Sequence, residues 1–315
     1  MPGVRWDVDD RPPTWWTRCY VAAMRAWRDK QAFEGAEQTL ATARARQRSG
    51  DHPPTRLTRA VASVQTLSVA TDVVSGRVWR IRPRKGRRDA AVRVIYLHGG
   101  GYVHPLTSDY WRLIRTLVGV GAEVIVPAYP LAPDHTVDEV LPWLLEVERT
   151  THTGLPTVVM GDSAGGALAL VLGRRLADRV RRIVALCPWL DATLSQPEVD
   201  DLEPTDPMLA ESGLRAAGRW WAGERSPDDP TVSPLYADLR GLPPIEVYIG
   251  DRDILRPAVD DLVARVERAD GAIHVHETPA MFHVWMTRAI PEGRRTRRQL
   301  AALVMAQEAE SAACC

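Results

Sequence analysis

The sequence predicts an α/β fold with a mostly parallel central sheet flanked by helices, and two patterns carry that expectation. From residue 92 onward, short β-branched runs alternate with segments of helical periodicity, the order that βαβ units require. Within that series stands Val158-Val159-Met160-Gly161-Asp162-Ser163-Ala164-Gly165-Gly166, a strand that turns sharply into an Ala/Leu-rich helix. A serine between two glycines at such a turn is the G-x-S-x-G arrangement that exposes a hydroxyl at the top of a sheet. The same five residues also suit a plain capped turn, because Ser is a good helix N-cap. The rest of the chain decides between the two.

Taken in order, residues 1 to about 50 read as helical. Trp15, Trp16, Tyr20, Met24 and Trp27 recur at steps of three and four, and Gly50-Asp51-His52-Pro53-Pro54 ends the pattern. Residues 63–82 read as two strands separated by turn residues. The basic run 82–88 reads as a solvated turn rather than a nucleic-acid patch, because it is isolated in a neutral chain. Strands follow at 92–97, 123–129, 157–160, 183–187, 245–249 and 273–277, with helices over 107–118, 137–149, 163–179, 256–269 and 292–309. An irregular, Pro- and acid-rich stretch from 190 to about 234 interrupts the alternation. Gly119-Val120-Gly121 follows a helix rather than a strand, so it is no dinucleotide fingerprint.

Composition narrows the function classes. Forty basic and forty acidic residues cancel among 315, which argues against a general polyanion-binding role. The four cysteines, Cys19, Cys187, Cys314 and Cys315, are too few and too badly spaced for a disulfide framework or a zinc site. Cys187 sits in an apolar run as a small hydrophobe, and Cys314-Cys315 reads as a frayed tail. The N-terminus carries early acids and no long apolar stretch, so the expectation is a soluble, cytoplasmic chain.

Ser163 becomes a nucleophile only if a base takes its proton and a third group holds that base. In open α/β sheets such groups gather past the carboxyl ends of strands. Asp251 and Asp253 stand just after the strand at 245–249, and His283 just after the one at 273–277, beside Phe282 and Trp285. His274 and His276 alternate on one strand and so share a face, but a metal pair would need further ligands that the sequence does not reveal. Leu97-His98-Gly99-Gly100-Gly101-Tyr102 places three glycines after a strand, where inward-turned amides form an oxyanion hole.

His98-Gly99-Gly100-Gly101, Gly161-Asp162-Ser163-Ala164-Gly165-Gly166, Gly250-x-x-Asp253-x-Leu255 and Phe282-His283 together resemble the hormone-sensitive-lipase-like (GDXG) esterases of the α/β-hydrolase fold. Tyr129-Pro130-Leu131-Ala132-Pro133-Asp134 also resembles a stretch of that family, with Pro130 and Asp134 as departures. The resemblance implies Ser163 as nucleophile, Asp253 as orienting acid and His283 as general base. It implies the amides of Gly100, Gly101 and Ala164 as oxyanion hole, and structural roles for His98 and Asp162. It further implies a helical cap built from residues 1–55 and 190–234, over a core of 56–189 and 235–315. Tyr102, Trp220 and Trp221 are expected to wall the substrate site, since aromatic rings suit an apolar acyl or alcohol group. The reaction implied is hydrolysis of short-to-medium-chain acyl esters through an acyl-enzyme, with no metal or cofactor. The partner implied is a small-molecule ester, with no nucleic acid and no stable membrane anchor; a homodimer stays open. An amidase, peptidase or acyltransferase would use the same triad, and a non-catalytic binding protein would lack one of its members.

Overall fold

The computed structural model describes residues 3–84 and 89–306. Most of the basic run, residues 85–88, and Cys314-Cys315 lie outside the described residues. Nine strands form one sheet: β1 (Val4–Val8), β2 (Ala62–Ala70), β3 (Ser75–Pro83), β4 (Val92–Leu97), β5 (Ala122–Ala128), β6 (Thr157–Asp162), β7 (Val180–Leu186), β8 (Ile245–Gly250) and β9 (Ile273–Thr278). Their order is β1-β9-β8-β7-β6-β4-β5-β3-β2. From β1 to β5 every neighbouring pair is parallel, and the β2–β3 hairpin closes one edge antiparallel to β5. Strands β4, β5, β6 and β8 are buried along their whole length. Each carries an unalternating apolar stretch, at 94–97, 124–126, 158–160 and 247–249, as a parallel sheet covered on both faces selects.

The helices are α1 (Trp15–Ala26), α2 (Ala36–Ser49), α3 (Arg56–Val61), α4 (Tyr110–Gly119), α5 (Val137–Thr151), α6 (Ala164–Arg175), α7 (Glu198–Leu202), α8 (Glu211–Ala222), α9 (Pro257–Arg268) and α10 (Pro291–Met305). Among the described residues none is long and apolar enough to cross a membrane. Helix α5 begins where the sequence signals it: Thr136 and Glu139 form a reciprocal capping box, with the Thr136 amide 2.9 Å from Glu139 Oε2. Helix α8 packs on α2 and on the short turn Asp29–Phe33. The approach is close enough that a Cβ on Gly213 would lie 2.0 Å from the Phe33 carbonyl oxygen. Two segments distant in sequence thus make one layer.

The N-terminus differs from the helical reading. Val4–Val8 is a strand, in parallel register with β9 from Val4↔Ile273 to Val8↔Glu277. Its anchors are long-range: Trp6 Nε1 donates to Glu277 Oε2 at 2.8 Å, and Asp7 Oδ2 lies 2.9 Å from His274 Nε2. A five-residue edge strand whose partners lie about 270 positions away carries little periodicity of its own.

Candidate active site

Ser163 sits between β6 and α6 with φ 55° and ψ −123°. That conformation is unfavourable for a residue with a Cβ and persists only where its surroundings over-determine it. They do: its amide donates to the Leu186 carbonyl at 2.8 Å, and its carbonyl accepts from Gly166 at 2.9 Å and Trp189 at 3.0 Å. The flanking glycines are steric requirements. A Cβ on Gly161 would stand 2.0 Å from the Gly165 oxygen, and one on Gly165 would stand 2.1 Å from the Leu97 oxygen.

His283 and Asp253 lie on the loops after β9 and β8. His283 Nδ1 lies 2.7 Å from Asp253 Oδ2, with both residues buried. The two loops touch so closely that a Cβ on Gly250 would meet the Met281 carbonyl at 2.3 Å. Asp251, the rival acid, instead accepts the Ala280 amide at 2.6 Å and closes the loop. Burial works against the His283 imidazolium, but the nearby charge and hydrogen bond of Asp253, with Asp206 and Asp162, outweigh it and hold the pKa above its ordinary value.

Ser163 and His283 line one cavity of about 280 Å³ together with Gly100 and Gly101. Gly100, Gly101 and Tyr102 all have positive φ (106°, 61° and 63°), which curls the loop so that the Gly100 carbonyl takes the amides of Val103 and His104. Among the described residues, the amides of Gly100 and Gly101 have no hydrogen-bond acceptor. Ala164 opens α6, where the first N–H groups have no intrahelical partner. Asp162 ties this loop to the serine turn: Oδ1 accepts from Tyr96 at 2.7 Å and the Gly99 amide at 3.1 Å, and Oδ2 from Tyr110 at 3.2 Å. Burial pushes the Asp162 carboxyl up to about 6, against those hydrogen bonds and the charge of His283. His98 stacks on Tyr129, whose hydroxyl donates to the His98 carbonyl at 2.6 Å.

The expected aromatic wall lies elsewhere. Tyr102 stacks on Trp221 (centroids 4.2 Å apart, 4° between planes) and on Trp189, as buried packing beneath the loop. Trp220 is half-buried, and none of Tyr102, Trp220 and Trp221 is among the residues lining the cavity. The positive φ of Tyr102 accompanies its ring's place in that stack, which composition does not reveal. The wall consists of Phe33, His104, Met208, Leu209 and Val284, with Asp29, Arg46, Asp109 and Arg288 also lining the cavity. His104 is buried with both ring nitrogens unpartnered, and burial, then the charge of Arg46, pushes its pKa down to about 3.

Sequence reading also missed Asp206. Its Oδ1 accepts the amides of Met208 (2.7 Å) and Leu209 (3.0 Å), while Oδ2 accepts that of Ile254 (3.1 Å), the residue after Asp253. The carboxyl therefore joins a cavity-wall loop to the loop of Asp253, and burial, then the charge of Asp253, raises it to about 6. The only signal was an Asp-Pro pair in an irregular stretch. Two groups of metal-ligating side chains come together among the described residues. In the first, Asp7 joins His274 and His276, but Asp7 is already paired with Arg5 at 2.7 Å, and His276 with Glu246 at 2.8 Å. The second adds Cys187 to Asp253 and His283, and Cys187 Sγ accepts the Val284 amide at 3.3 Å.

Residues 94–287 match a family model described as alpha/beta hydrolase fold. The chain is 28% identical over 221 residues to an esterase of Acinetobacter venetianus, covering 65% of this chain and 73% of that protein. It is 28% identical over 264 residues to an acetyl-hydrolase of Streptomyces hygroscopicus, covering 79% and 88%. Among solved structures it superposes with a TM-score of 0.73, at 23% identity, on an esterase from the bacterial hormone-sensitive lipase family, over 91% of this chain and 96% of that one. The chain therefore belongs to the alpha/beta hydrolase fold family that the matching family model describes, and its esterase and acetyl-hydrolase relatives make it a carboxylic ester hydrolase.

Proposed function

We propose that this protein hydrolyses short-to-medium-chain acyl esters, with Ser163 as nucleophile, His283 as general base and Asp253 as its orienting acid. The observation that carries the reading is the 2.7 Å His283–Asp253 pair, whose imidazole shares the cavity of Ser163 and of the unpartnered Gly100 and Gly101 amides. His283 takes the Ser163 proton as the hydroxyl oxygen adds to the ester carbonyl, forming a tetrahedral oxyanion. Asp253 holds the imidazole tautomer and stabilises the imidazolium. The amides of Gly100, Gly101 and Ala164 receive the oxyanion, and one such donor is worth about 3 kcal/mol of barrier. The imidazolium returns its proton to the departing alcohol as the carbonyl re-forms. Water, deprotonated by His283, then releases the acid from the acyl-enzyme. A cavity of about 280 Å³ is near the lower end for small-molecule sites, which favours the shorter acyl groups.

The test is a series of p-nitrophenyl esters, acetate through long chain, given to wild type and Ser163→Ala. Turnover that peaks at short chains and vanishes in the variant is the expected result. Wild type inert on every ester, or a variant as active as wild type, overturns the reading.

A further inference from the structure

Helices α1, α4 and α10 enclose a second concavity, more open than the catalytic one and larger, about 870 Å³. Its lining includes Trp16 and Tyr20 from α1, Arg112 and Arg115 from α4, and Arg294 and Arg297 from α10. Each arginine pair is spaced i, i+3, so its members share a helix face, and α4 and α10 pack against each other. Four cations therefore converge in a chain whose overall charge is zero.

The acids within reach are already engaged. Asp109 pairs with Arg112 and Arg288, Asp9 with Arg11 and with Arg295, and Glu292 accepts from Thr14 and Thr17. Arg297 is held on the carbonyls of Met286 and Arg288 at 2.6 and 2.8 Å. Burial, then the charges of Arg112, Arg115 and Arg294, pushes its pKa down to about 10. Arg115 and Arg294 have neither a carboxylate nor a hydrogen-bond partner for their side chains among the described residues.

Beside these cations stand aromatic side chains that are mostly exposed, uncommon among the described residues. Trp15 and Trp16 stack on each other at 3.8 Å and are 60% and 58% exposed, and Trp27 at the end of the same helix is 75% exposed. Six other tryptophans are under 2% exposed, so the fold buries this side chain where it can. Indole rings rimmed by arginine match the interfacial zone of a bilayer, where the rings sit at headgroup depth and the guanidinium groups meet phosphates.

We propose that this face docks on the surface of a bilayer containing anionic phospholipid, with Arg115 and Arg294 on lipid phosphates and Trp15 and Trp16 entering the headgroup zone. The site adjoins the catalytic cavity. Tyr20 stacks on Phe282, next to His283, and Ala289 and Ile290 of the groove directly follow Thr287 and Arg288 of the cavity. Docking would hold that cavity beside the lipid.

The test is flotation of the full chain with vesicles of phosphatidylcholine alone and of phosphatidylcholine mixed with phosphatidylglycerol, with thermal unfolding as the control for folding. Wild type is expected on the mixed vesicles only, less so as salt rises, with a blue shift in tryptophan emission. Arg115→Gln/Arg294→Gln should lower partitioning about thirtyfold, and Trp15→Ala/Trp16→Ala should lower it and reduce the blue shift. Both variants should keep the wild-type unfolding midpoint. The proposal is overturned if wild type ignores anionic vesicles, or if folded variants float as wild type does. Calorimetric binding of inorganic phosphate without vesicle binding also overturns it, and assigns the arginines to a soluble phosphate ligand.

Discussion

At the scale of single residues, the histidine carries the clearest pH signature. In the proposed reaction neutral His283 is the base, and Asp253, Asp206 and Asp162 hold its pKa above the ordinary value. The kcat/KM for a soluble ester should therefore fall as pH drops through a value above 6.5, the unperturbed imidazole midpoint. Asp253→Asn removes the leading favourable charge and the tautomer control. Its kcat should drop about 10⁴-fold, while the acid limb moves to lower pH in a full pH–rate profile. A limb that stays in place would show that the titrating group is not His283. Buried pairs outside the site matter for folding instead. Glu148 lies 2.9 Å from the fully buried Arg93, and Glu148→Ala strands that guanidinium. A loss of about 3–5 kcal/mol is expected in denaturant unfolding, with Ser163 chemistry unchanged in whatever protein remains folded.

At the scale of elements, the site depends on loops that belong to different strands yet are held as one body. Asp162 fastens the glycine loop after β4 to the turn after β6, and Asp206 fastens the Met208–Leu209 wall to the loop after β8. Asp206→Ala leaves three amides without their acceptor in a buried place. Stability should fall by roughly 1–3 kcal/mol, and KM should rise more than kcat falls, because the wall loosens while the triad keeps its own bonds. Steady-state kinetics that show kcat alone affected would place Asp206 in the chemistry rather than in the wall. This element-level clamp was not legible in the sequence. An Asp before Pro in an irregular stretch reads as a turn former, as its bonds to the Met208 and Leu209 amides make it, but its third partner, Ile254, is 48 residues away. The glycine loop was legible, because three glycines after a buried strand have few other uses.

At the scale of the whole molecule, the order of strands and helices from residue 92 onward, the serine turn, and the placing of Asp253 and His283 after β8 and β9 could all be read from the chain. These are local signals: periodicity, β-branched runs, and glycines whose missing Cβ the turn requires. Tertiary structure alone decided the rest. It put Val4–Val8 on the sheet edge, set Asp206 across two loops, and folded Tyr102 and Trp221 into a buried stack while Phe33 and Met208 took the wall. It also gathered four arginines from two helices beside exposed indoles. Each of these is a choice between residues of the same chemical type. Such choices depend on contacts between distant segments, which sequence periodicity does not encode and packing does.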